Sequence, residues 1–151
     1  MILTDPTPVL RNFYVYELVD PGTYAKMGQS ALSLFNPKIL IAIDNTPEFF
    51  GVKPIINNWH EGGPFQWRGY RTVEAAHKLG SPTGHEQHQA GNAFDWDVPG
   101  MTAKQARDKM RADQNNPLII NFMRLEGGVN WVHGDGKLLV LPEQRIYTFS
   151  V

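Results

Sequence analysis

Two short stretches hold most of the residues able to do chemistry. Gly84 to Asp97 reads GHEQHQAGNAFDWD and carries His85, His88, Asp95 and Asp97. Trp131 to Asp135 reads WVHGD and adds His133 and Asp135. Imidazole nitrogens and carboxylate oxygens are zinc ligands, and a catalytic zinc site combines three protein ligands with one open position. His88 and Asp95 are seven apart, too far for one helical turn. The chain must bend between them, and Gly91 is free to adopt the conformation such a bend needs. Asp95 then enters a strand from Ala93 to Asp97, where alternate residues share a face. Ala93, Asp95 and Asp97 point one way, and Phe94 and Trp96 the other. By the same rule His133 shares a face with Trp131 and Asp135. An HxD pair on a strand thus aims a ligand and a carboxylate into one cavity.

The elements that must position these residues are legible from punctuation and periodicity. A short aromatic and β-branched run, Phe13 to Tyr16, is followed by a turn at Pro21-Gly22. Asn36-Pro37 pairs an N-cap with proline at the first helical position, and Ile39, Leu40 and Ile43 give that helix its apolar face. Pro47 ends or kinks it. Val52 to Trp59 (VKPIINNW) reads as a strand, with Pro54 near its start. Thr72 to Lys78 reads as a short helix and Gly80 to Gly84 as a turn region. Thr102 and Gln105 form a capping box for a helix over Ala103 to Ala112, whose inner stripe is Ala103, Ala106 and Met110. Asn115-Asn116-Pro117 stops it. Val129 to Asp135, Leu138 to Leu141 and Ile146 to Phe149 have strand character. The class is α+β, with strands concentrated in the C-terminal half.

Composition narrows the function. The chain has 151 residues, of which 42% are hydrophobic and 19% charged, enough apolar matter for one domain and too much for a disordered chain. Eight Phe, five Tyr and four Trp can supply a sizeable core. Lys and Arg total 14 against 15 Asp and Glu, so the chain lacks the basic footprint of a general nucleic-acid binder. There is no cysteine, which rules out disulfides, thiolate zinc sites and a cysteine nucleophile. No stretch approaches the apolar length of a membrane span. Met1 to Leu10 has Asp5, Pro6 and Pro8 and no basic cluster, unlike a secretory signal, so a cytoplasmic site of synthesis is expected.

In the order and spacing of its motifs the chain resembles the zinc peptidases of bacterial cell walls. These are the D-alanyl-D-alanine carboxypeptidase and dipeptidase group, with the phage L-alanyl-D-glutamate endopeptidases. Their signature is SxHxxGxAxD followed later by a histidine on a strand. His88, Gly91, Ala93 and Asp95 match it, while Glu86 stands at the serine position. Gly69-Tyr70-Arg71 fits the group's upstream GYR segment, and Trp131 to Asp135 fits the FVHVD ending of one subgroup. Phe13 to Tyr24 is similar to that subgroup's opening phrase around a glutamate, here Glu17. The resemblance covers residues 12 to 136, most of the chain.

The resemblance implies one domain over residues 1–151, with a small antiparallel sheet, helices packed on one side and a zinc cleft on the other. It implies that His88, Asp95 and His133 bind Zn²⁺, with water as fourth ligand. It implies that Arg71 stabilises the carbonyl oxyanion or holds a substrate carboxylate, for which its planar fork is suited. The reaction would be hydrolysis of an amide bond in the peptide stem of peptidoglycan, by a monomer encoded by a phage or prophage for lysis or carried in a virion. No nucleic-acid or membrane partner is expected. In the dipeptidase branch a glutamate three residues before the last histidine is the general base, but Asn130 stands there. Asp135, on the strand face of His133, is the first replacement, and Glu126, beside Gly127-Gly128, the second. If neither serves, the chain is a catalytically inactive relative acting as a wall-binding or virion structural protein. A zinc enzyme hydrolysing another small amide is a third reading.

The other notable residues have plainer readings. His60 and His77 are expected to be structural. His85 forms HxxH with His88, but Gly84 and the family pattern favour His88 alone. Asp97 reads as an acceptor behind the site or a turn residue. Trp59, Trp67, Trp96 and Trp131 read as core or cleft wall. The charged residues on the Ala103 to Ala112 helix read as a solvated face.

Overall fold

The computed structural model describes residues 7–80, 86–138 and 145–150. Its helix starts are set by side chains that receive the first free amides. Asp20 accepts from the Thr23 amide (3.1 Å) and opens α1, Pro21–Met27. The turn expected at Pro21-Gly22 is therefore the first turn of a helix. Asn36 accepts from the Lys38 amide (3.0 Å) and opens α2, Pro37–Asp44. Pro47 does end that run: α3, Thr46–Phe50, begins there as a separate helix. Thr72 caps α4, Val73–Lys78, and the reciprocal Thr102 and Gln105 box opens α5 at its expected bounds, Ala103–Ala112.

Four strands form one sheet: β1 Ala93–Trp96, β2 Arg124–Glu126, β3 Val132–Asp135 and β4 Tyr147–Phe149. Their order is β1-β3-β2-β4. The first two pairings are antiparallel, but β4 runs parallel to β2. The sheet is thus mixed, not antiparallel as expected. β4 adds at the edge of β2 that β3 leaves free and runs opposite to β3, and so parallel to β2.

Val52 to Trp59 is not a strand. Only Ile55 makes a bridge, to Asp97. Pro54 has no amide to give, and Asn57 ties the segment across the fold instead. The Asn57 amide donates to the Glu17 carbonyl (3.1 Å), its side chain donates to the Val19 carbonyl (3.3 Å), and its side-chain oxygen accepts from the Arg68 amide (2.9 Å). The expected strand at Leu138 to Leu141 lies beyond residue 138, outside the described residues, as does His85.

The two faces of the sheet divide as alternation requires. Phe94, Trp96 and Val132 enter a core shared with Ile39, Leu40 and Ile43 of α2 and Ala106 and Met110 of α5. Gly134 lies on this core face of β3, where a Cβ would come within 2.9 Å of the Trp96 and Phe122 rings. Asp95, His133 and Asp135 occupy the other face. Among the described residues no helix is long and apolar enough to cross a membrane.

Candidate metal centre

His88 is placed by two close backbone approaches. The turn that carries it closes with the Gly91 amide donating to the His88 carbonyl (3.1 Å), and the Asn36 amide donates to the Gly91 carbonyl (2.9 Å). Gly91 has φ +67°, and a Cβ there would lie 1.9 Å from the Leu34 carbonyl oxygen. This is the bend expected between His88 and Asp95, and both its conformation and its packing demand glycine. On the ring's far side, His88 Nδ1 donates to the Gly69 carbonyl (2.8 Å). A carbonyl can only accept, so Nδ1 holds the proton and Nε2 is left to face the site. Gly69 itself presses on Leu18, whose carbonyl oxygen would be 1.9 Å from a Cβ. The first residue of the Gly69-Tyr70-Arg71 segment therefore orients the histidine.

Asp95 and His133 are direct cross-strand partners in the β1–β3 ladder. Asp95 Oδ1 lies 2.8 Å from His133 Nδ1, and Asp95 Oδ2 lies 3.3 Å from His88 Nε2. His88 Nε2 is 3.3 Å from His133 Nδ1. His88, Asp95 and His133 are 2%, 5% and 7% exposed. One donor atom from each lies within 4.8 Å of the others, so the three could hold a metal ion. Burial alone would raise the Asp95 pKa, but the two histidines that face the carboxyl outweigh it and hold it below the usual carboxylate range. For His133 burial favours the neutral ring, yet hydrogen bonds to Asp135 and Asp95 prevail and push its pKa up to about 9.

Asp135 stands behind His133, not in the cleft in front of it. Its Oδ2 accepts from His133 Nε2 (3.0 Å) and from an Arg124 terminal nitrogen (2.7 Å). Its Oδ1 accepts from Arg124 Nε (2.9 Å) and the Lys137 amide (3.1 Å). All four lone-pair sites are engaged, and the residue is fully buried. Burial would raise its pKa, but the bonds from His133 and Arg124 lower it. A carboxylate so placed orients a ligand imidazole; it does not fit the proton-accepting role expected of it. Arg71 is committed in the same way. Its Nε donates to the Trp67 carbonyl (2.7 Å), one terminal nitrogen pairs with Glu86, and the other reaches Asp95 Oδ2 (3.1 Å). Its fork grips the protein's own carboxylates instead of being open to a substrate's.

The three candidate ligands open onto a cleft of about 610 Å³. Glu86, Arg124, Glu126, Trp131, Lys137 and Phe149 contribute to its walls. The Phe149 ring meets His133 edge-on at 5.7 Å and lies under the Arg124 guanidinium at 4.0 Å. Glu126, at the end of β2, faces this cleft and makes no ion pair among the described residues. Asn130 is exposed and does not line it. Of the residues sequence reasoning set aside, Asp97 pairs with Arg68 (2.7 Å), His77 is exposed on α4, and His60 packs on Tyr16 with ring centres 4.5 Å apart.

Arg124, Lys137 and Phe149 escaped the sequence reading. Arg124 is opposite Asp135 only through the β2–β3 register, and no local pattern announces that pairing. Glu86 carried a signal, because an acid at the serine position needs a cation, and Arg71 is that cation. Comparison of the chain with protein-family models, with curated proteins and with solved structures finds no match.

Proposed function

We propose that this chain is a zinc-dependent peptidase that cuts an amide bond in the stem peptide of peptidoglycan, of the D-alanyl-D-alanine carboxypeptidase or L-alanyl-D-glutamate endopeptidase type, serving phage lysis or carried in a virion. One observation supports it above the rest. His88, Asp95 and His133 converge from three segments, each is oriented from behind, and together they open onto a cleft. Two imidazoles and one carboxylate are a donor set suited to catalytic zinc, with a position left for water or substrate. A zinc ion bound there would supply Lewis acidity to a scissile carbonyl and acidify a water.

The chain's own groups do the remaining work. Gly69 fixes the His88 tautomer, Asp135 fixes that of His133, and Arg71 fixes the Asp95 carboxylate. Glu126 takes the proton of the attacking water and returns it to the leaving amine. Glu86 is held by Arg71 and is not available for that transfer. Trp131 and Phe149 wall the cleft and limit water around the reacting bond.

The test is zinc content of the purified chain, together with release of new amino groups from purified peptidoglycan with and without a chelator. About one zinc per chain and chelator-sensitive release is the expected result. Zinc without release would overturn the enzymatic reading and favour a wall-binding or virion structural role. Release that survives complete removal of metal would overturn the metal centre.

A further inference from the structure

We propose that the metal cleft continues into a second cleft that binds a carboxylate-bearing stretch of the same peptide, with Lys137 at the junction and Lys38 at the far side. The second cleft has a volume of about 570 Å³. Gln87 and Lys137 line both clefts, so the two are contiguous.

The linings differ in charge. The metal cleft carries Asp95, Glu86 and Glu126 against Arg71 and Arg124, which are already paired with the protein's own acids. The second cleft presents Lys38 and Lys137 and the amides Asn36, Gln87, Asn92 and Asn121, and no carboxylate is among its described lining residues. Both lysines are exposed, and neither makes an ion pair among the described residues. Among the described residues, a chain with net charge −1 has thus set two cations and no anion around one hollow.

The amides are ordered for recognition. Asn36 donates to the Asn92 side chain (3.0 Å), and Asn92 donates to that of Gln87 (2.7 Å). The Gly136 amide fixes the Asn92 carbonyl (3.0 Å), and Asn121 donates to the Lys38 carbonyl (3.1 Å). Amide side chains both donate and accept, as a peptide backbone requires, while lysine supplies a cation for carboxylates. An extended acidic peptide satisfies both, and its scissile end would lie in the metal cleft. The identity of that peptide rests on the peptidase reading; the anion preference of the second cleft does not.

The experiment is titration of the zinc-loaded chain with the pentapeptide L-Ala-D-Glu-L-Lys-D-Ala-D-Ala, which carries both candidate scissile bonds, and with the same peptide carrying amides in place of both carboxylates. Binding is followed by the side-chain amide NMR signals of Asn36, Asn92 and Asn121. The free acid should shift these signals. Its affinity should fall roughly tenfold or more on amidation, and equally in Lys38→Met with Lys137→Met, the loss of a charge-assisted contact. Equal affinity for the two peptides, unchanged affinity in the double variant, or shifts confined to Trp131 and Phe149 would each overturn the proposal. Binding without cleavage would uphold the second cleft and sink the hydrolase reading. Cleavage without shifts at the asparagines would do the reverse.

Discussion

Replacing Asp135 by Asn separates two roles that the sequence leaves together. If Asp135 accepts a proton in catalysis, Asp135→Asn keeps metal and loses turnover. The structure leads to a different outcome. Each carboxylate oxygen receives two donors, so an amide nitrogen has no favourable place. Turned one way, it meets His133 Nε2 and an Arg124 terminal nitrogen; turned the other, it meets Arg124 Nε and the Lys137 amide. The Arg124 guanidinium loses its counter-charge at a site where the partner is fully buried. Breaking a buried pair from one side costs about 3–5 kcal/mol, and the Arg124 side chain, 14% exposed, keeps some access to water, which argues for the lower figure. With a domain of this size losing roughly 2–4 °C per kcal/mol, the melting temperature should fall by about 6–12 °C. His133 also loses the acceptor that sets its ring, and removal of such a partner weakens metal binding by about 10–100-fold. Competition with a chromogenic chelator measures that affinity, and calorimetry the melt. Wild-type zinc affinity with turnover abolished would refute this reasoning and return Asp135 to the proton-accepting role.

Other outcomes follow from the same geometry. Glu126→Gln should keep one zinc per chain while kcat falls by about 10²–10⁴; near-normal turnover would remove Glu126 from the proton-accepting role. In the metal-free chain the His133 pKa is raised from 6.5 to about 9, so the stability its charge brings is complete below pH 6.5 and is lost as pH rises through 9. Zinc must displace that proton, so uptake at pH 7.5 should release about one proton per chain, visible as a buffer-dependent enthalpy in titration calorimetry; no dependence on buffer would show that His133 is neutral before metal arrives. Gly91→Ala forces a Cβ to 1.9 Å from the Leu34 carbonyl at φ +67° and should lower stability by roughly 3 kcal/mol or more, together with zinc affinity. An unchanged melt would show that the Leu34 carbonyl yields easily.

What the sequence discloses is what is local. Thr102 and Gln105 sit three residues apart, so their reciprocal cap is visible in the string, and α5 has its expected bounds. Asn36-Pro37 works in the same way. Strand alternation separates Asp95 from Phe94 and Trp96, and His133 from Gly134, without any tertiary knowledge. The resemblance selects His88, Asp95 and His133, and the fold gathers them. The failures are long-range. β2 has three residues, and its existence depends on β3 and β4 to either side. The parallel edge is a relation between β4 and β2, more than twenty residues apart, and nothing within Tyr147–Phe149 announces it. Asp135 could be placed on the face of His133 from spacing alone, but its function is decided by Arg124. Arg71 has the fork for a substrate carboxylate, yet Glu86, Asp95 and the Trp67 carbonyl fill it. In each case the residue type is right for the chemistry, and its neighbours determine whether it remains available.

Arg107 bears on how far this chain can drift in sequence. It is the buried cation of α5, and its guanidinium donates to the carbonyls of Val129 and Trp131, both at 3.0 Å. Those carbonyls flank Asn130. Every amino acid carries a carbonyl, so the clamp holds the turn whatever side chains it bears. Substitutions at residue 130 can then accumulate without moving Trp131 or the strand that presents His133. The same indifference removes any pull toward glutamate there, because an exposed position outside the cleft gains nothing from a carboxylate. Variation at this turn should therefore be broad, while Arg107, on a helix face that otherwise looks merely solvated, should tolerate almost none.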